Sequence, residues 1–176
     1  MTLHTAAGRA SGMGAFGYSP RVPNDDLIIR RGGLRDAVTI AAYNIRMALE
    51  TEQKRLDPYT VSAGVRAVIE DDSLGHYFVA DIGGRVIGQL MVTFEWSDWR
   101  NGSIWWVQSV YVHPEFRKTG VFRRLLAGTV AAARAAGAVM VRLYVENDNT
   151  IAQTAYARLG LEKAPYAVME MPLPKE

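Results

Sequence analysis

The chain has 176 residues, 49% of them apolar and 22% charged, with a formal net charge of +2. This is ordinary globular composition with room for a sizeable core, and the scattered positive charge is no nucleic-acid signature. The absence of cysteine excludes disulfides, thiol nucleophiles and cysteine-bound metals and fits a cytoplasmic setting; the three histidines lack metal-ligand spacing, so no metal is expected, and no apolar run is long enough for a membrane span.

Residues 1–26 are rich in Gly, Ala, Ser and Pro and read as a flexible tail before a single domain at 27–176. Gly12-Met13-Gly14-Ala15-Phe16-Gly17 matches a dinucleotide fingerprint. That fingerprint needs a strand before it and a helix after it, and a Pro-containing segment follows here instead. Leu27–Arg31 reads as a short strand closed by Gly32-Gly33. Helical periodicity follows over Val38–Leu49 and again over about Pro58–Glu70, where Val61, Val65, Val68 and Ile69 form the apolar stripe. Both helices are read as core packing, with a pocket wall as the alternative.

Three strands come next: His76–Ile82, Arg85–Trp96 and Ser103–Val112. Gly83-Gly84 and Asn101-Gly102 are hairpin turn signals, so residues 76–112 read as an antiparallel meander. His113-Pro114 ends the third strand. Phe122, Leu125, Leu126, Thr129, Val130 and Ala133 then mark one face of a helix that Gly137 stops. Val139–Val145 reads as a buried strand, and strand–helix–strand order implies a right-handed parallel crossover. A short helix at Thr150–Leu159, closed by Gly160, and a last strand at Tyr166–Met171 complete the chain.

The loop Arg117-Lys118-Thr119-Gly120-Val121 lies where the long helix starts. Unpaired N–H groups and the positive end of the helix dipole suit a phosphate there. It is not a nucleoside-triphosphate loop, because Lys118-Thr119 precedes the glycine and no upstream glycine is in place.

Arg117-x-x-Gly120-x-Phe122, with Val110–Pro114 before it and Asn149-x-x-Ala152-x-x-x-Tyr156-x-x-x-Gly160 after it, resembles the GNAT superfamily of N-acetyltransferases. The order of elements from Leu27 to Met171 is similar too. The resemblance implies a mixed α+β fold: a central, mostly antiparallel sheet of six to seven strands flanked by about four helices. It implies acetyl-CoA as co-substrate and acetyl transfer to a primary amine of a small molecule, peptide or protein, by direct attack in a ternary complex. A non-catalytic acyl-CoA-binding module or sensor is the alternative. Monomer or homodimer is expected, with no nucleic-acid or membrane partner.

The resemblance also distributes roles. It places the CoA pyrophosphate on the backbone of Arg117, Lys118, Thr119, Gly120, Val121 and Phe122, with Arg117 and Lys118 adding positive charge and Arg123 as a further candidate. The pantetheine arm would run along Val110 and Val112, ending near Asn149. Tyr156 matches the general acid and Glu95 a common general-base position, with Asp98 and Glu146 as rivals. Trp96, Asp98, Trp99 and Glu146 are expected around the amine, since tryptophan faces and carboxylates suit a cation. Phe122 stands where the family usually has Gly or Ala; being in phase with the apolar stripe, its ring is expected in the core.

Overall fold

The structure, a computed structural model, describes residues 26–145 and 147–173. The Gly12–Gly17 match, the tail at residues 1–25 and Glu146 lie outside the described residues. The elements are β1 (Leu27–Arg31), α1 (Ala37–Glu52), α2 (Pro58–Glu70), β2 (His76–Ile82), β3 (Arg85–Ser97), β4 (Gly102–Val112), α3 (Val121–Ala135), β5 (Met140–Leu143) and α4 (Thr150–Arg158). The five strands form one sheet in the order β1-β2-β3-β4-β5. Its first three pairings are antiparallel and β4–β5 is parallel, as the crossover through α3 requires.

The sheet has one core on each face. On one, Phe78, Ala80, Leu90, Val92, Trp105 and Val107 pack against Val121, Leu125, Leu126 and Ala133 of α3. On the other, Tyr77, Val79, Val86 and Tyr111 pack against Ile40, Ala41 and Tyr43 of α1 and Val65 of α2. Alternation along the strands feeds both cores at once. Gly128 of α3 faces β1, where an added Cβ would sit 2.8 Å from Ile29, so glycine sets that close approach.

An ion cluster ties the elements at one edge. Arg30 of β1 bonds both oxygens of Asp36, at 2.7 and 2.8 Å, and reaches Asp81 of β2 at 2.7 Å. Asp36 also accepts from Gly33 N–H, just before α1, and Asp81 from Gly84 N–H in the β2–β3 turn. Both carboxylates are buried.

β4 carries the irregularity that matters for function. Its register runs Met91↔Gln108 and then Gln89↔Tyr111, so Ser109 and Val110 together face the single residue Leu90. This is a β-bulge, and Ser109 lies in the left-handed region at φ +50°. Beyond it β4 and β5 part. Their pairing covers only Ile104–Val107 against Met140–Leu143, while β4 continues to Val112.

Two expectations are corrected. The sheet has five strands among the described residues, because Tyr166–Met171 forms none. Pro165 and Pro172 bracket that stretch and remove donors from it, and Tyr166, Val168, Met169 and Met171 are exposed. The stretch Val139–Val145 is a strand only over Met140–Leu143, and it is half-buried rather than buried. It is the last strand of the sheet and has β4 as its sole ladder partner among the described residues.

Candidate active site

The start of α3 is built to receive an anion. Gly120 is its N-cap, at φ +89°, and no side chain caps the helix. The first intrahelical bond runs from Arg124 N–H to the Gly120 carbonyl, which leaves the earlier N–H groups of the first turn directed outward. Lys118 is also left-handed, at φ +64°, and Thr119 Oγ donates to the Phe116 carbonyl at 2.6 Å. These bonds hold a tight loop whose N–H groups and helix dipole favour negative charge.

The cations around this loop divide unequally. Arg117 is turned toward the protein. It donates to Glu50 of α1 at 2.6 Å and to the Val112 carbonyl at 2.9 Å, and lies 5.3 Å from the centre of the Tyr111 ring. Its bond to Glu50 holds that carboxyl below the usual range. The Arg117 side chain, expected to add charge for a phosphate, is paired with Glu50, and both groups are partly exposed. The Arg123 guanidinium lies 3.8 Å from where a Cβ on Gly120 would sit.

Next to this helix start is an open backbone edge. From Gln108 to Val112, β4 has β3 on one side and no ladder partner on the other among the described residues. Val110 and Val112 point to the α3 face and pack on its core. Tyr156 of α4 lies beside the start of α3. Its ring meets Phe122 edge-on, with centroids 5.4 Å apart. The ring of Phe122 packs on the core as expected, and it also braces Tyr156. Burial pushes the Tyr156 phenol up, so it remains protonated at neutral pH. Asn149 caps α4, its Oδ1 accepting from Ala152 N–H at 3.0 Å.

The expected carboxylate and tryptophans lie toward the other end of the β3–β4 ladder. Glu95 accepts from Trp106 Nε1 and pairs with Arg142 at 3.3 Å. Trp106 in turn stacks on Tyr144 at 4.5 Å. Glu95 lies on the sheet face that also carries Met91, about 13 Å further along β3. Trp96, Asp98 and Trp99 sit at the β3–β4 hairpin end, where Trp96 and Trp99 are 66% and 88% exposed. That end is about 30 Å along β4 from Val112.

Sequence reasoning missed Ser109 and the polar chain Gln89–Asn44–Tyr77, described below. A bulge has no signal in strand alternation. The one available signal was Gln89, a polar residue inside the apolar run of β3.

An uncapped helix start beside an open strand edge suits an extended ligand with an anionic tail. Comparison with known proteins gives the family. Residues 40–161 match the Acetyltransferase (GNAT) family, and the chain belongs to that family. A possible acetyltransferase from Clostridium difficile 630 is similar, with 37% identity and a TM-score of 0.80 over 85% of this chain and 99% of that one. A predicted acetyltransferase from Clostridium acetobutylicum, solved with acetyl-CoA, shares the fold at 13% identity and TM-score 0.69, over 82% and 96% of the two chains. An aminoglycoside acetyltransferase from an uncultured soil metagenomic sample shares it at 15% and 0.70, over 86% and 99%. Among the described residues no helix is long and apolar enough to cross a membrane, and no three His, Asp or Glu side chains converge as a metal site needs.

Proposed function

We propose that this protein is a cytoplasmic, acetyl-CoA-dependent N-acetyltransferase acting on a primary amine by direct attack in a ternary complex. The observation that carries this reading is the open β4 edge from Gln108 to Val112 leading into the uncapped start of α3. The backbone at Val121, Phe122 and Arg123, with the charge of Arg123, holds the pyrophosphate. The edge at Val110 and Val112 binds the amide-bearing arm as an added strand. The bound thioester supplies the acetyl group. Tyr156 O–H gives its proton to the departing sulfur, and Phe122 keeps the phenol oriented. The attacking amine is neutral, its proton passing to solvent or through water to Glu95.

Gly120 tests the cofactor half of this reading. At φ +89° a β-branched residue is strained by about 1–3 kcal/mol, so Gly120→Val must reshape the loop. Calorimetry should show acetyl-CoA binding weakened tenfold or more. Undiminished binding would remove the loop from the site. Thiol release with a panel of amines then separates an enzyme from an acyl-CoA sensor.

A further inference from the structure

A pocket of about 320 Å³ lies between α1, α2 and the sheet. Met47, Val61, Val65, Val68 and Met91 give it apolar walls, and its polar lining is uncharged: Asn44, Tyr77 and Ser109. That volume is at the small end of ligand sites. No acidic or basic side chain lines it.

The polar end is a chain of neutral groups. Gln89 is fully buried and donates through Nε2 to Asn44 Oδ1 at 2.7 Å. Asn44 Nδ2 donates to the Tyr77 hydroxyl at 3.2 Å. Tyr77 therefore accepts from inside, and its own hydrogen is left for a ligand oxygen. Burial pushes the Tyr77 phenol up, which keeps it a neutral donor. Ser109 sets the pocket's relation to the reaction: it lines the pocket and is also the bulge residue where β4 leaves β5.

We propose that this pocket selects the acceptor, and that the acceptor is an amine bearing an apolar side group of about leucine or phenylalanine size and a carbonyl or amide oxygen. The assignment rests on the transferase reading above. The side group fills the space between Met47, Val65 and Met91, and the oxygen accepts from Tyr77. A polycation is disfavoured, because no carboxylate on the lining meets its extra charges.

Gly64 provides a test that spares the fold. It is an exposed α2 residue on the pocket lining, and a Cβ there meets nothing within 4 Å. Gly64→Leu should occupy the pocket and improve the helix. The probes are phenylalaninamide, leucinamide, alaninamide, 2-phenylethylamine and spermidine. We expect kcat/KM for the first two to exceed that for alaninamide and spermidine at least tenfold. Gly64→Leu should raise KM for phenylalaninamide at least tenfold, with acetyl-CoA affinity and Tm retained. Tyr77→Phe should erase the advantage of phenylalaninamide over 2-phenylethylamine. Preference for spermidine, equal rates across the panel, or an unchanged KM in Gly64→Leu would overturn the proposal. If no amine releases thiol, calorimetry on the CoA-loaded protein decides. Phenylalaninamide binding that Gly64→Leu abolishes supports the pocket and overturns transfer alone; no binding overturns the pocket as well.

Discussion

Arg30→Ala is expected to destabilise the fold by about 3–5 kcal/mol, the cost of leaving a buried ion cluster without one partner. The value is large against the ~5–15 kcal/mol total of an ordinary domain. The Arg30 side chain is 20% exposed, those of Asp36 and Asp81 5% and 8%, so water screens the cluster little. Removing the guanidinium leaves two buried carboxylates with one backbone N–H each and, for Asp36, the exposed Arg35 at 3.9 Å. Denaturant unfolding at pH 7 measures the loss.

The pH dependence follows from Asp36. Its bond to Arg30, the largest cause, holds its folded-state pKa below the ordinary carboxylate value, against the opposing effect of burial. A depressed pKa adds stability that is fully present above the unfolded value of about 3.9 and is lost as pH falls through the folded value. Wild type therefore loses this contribution only in acid. Arg30→Ala lacks it already, so the difference between the two proteins should narrow below about pH 4. A constant gap from pH 7 to pH 3 would mean that the loss comes from packing of the Arg30 stem instead.

Tyr156→Phe is the second large effect. We expect turnover to fall about 10²-fold or more, in the range of general acid catalysis, with acetyl-CoA affinity within a factor of two. Only the hydroxyl is removed; the ring that meets Phe122 stays. The pH profile separates chemistry from structure. Burial raises the phenol above its ordinary value near 10, so the proton is available through neutral pH and is lost as pH rises past that raised value. Wild-type kcat should show that alkaline decline and the variant should not. Unchanged turnover would take Tyr156 out of the mechanism.

Much of the architecture is written in local pattern. The meander over 76–112 follows from alternation and from two turn signals, and its strands form within a residue or two of expectation. The α3 stripe from Phe122 to Ala133 names the residues that pack on the sheet. Where the sequence misleads, a non-local partner decides. Tyr166–Met171 has strand-like residues but no ladder to join. Arg117 has the charge for a phosphate, and Glu50, distant in sequence, pairs with it. The acceptor pocket draws Asn44, Val65, Tyr77, Met91 and Ser109 from five elements, and no spacing links them. Glu95 and Trp96 are neighbours in sequence, yet of the two only Glu95 shares the sheet face of the pocket.

Ser109 is a residue more than the sheet requires. Without it, Val110 would pair directly opposite Leu90, and Tyr111 and Val112 would keep both their partners and their faces. The left-handed serine costs about 1–3 kcal/mol, so deleting it should leave the core untouched and raise Tm. The same deletion closes the bulge and should abolish acetyl transfer. A deletion variant that gains stability and loses acetyl transfer, read by thermal unfolding and thiol release, would show that the bulge serves the reaction and not the fold.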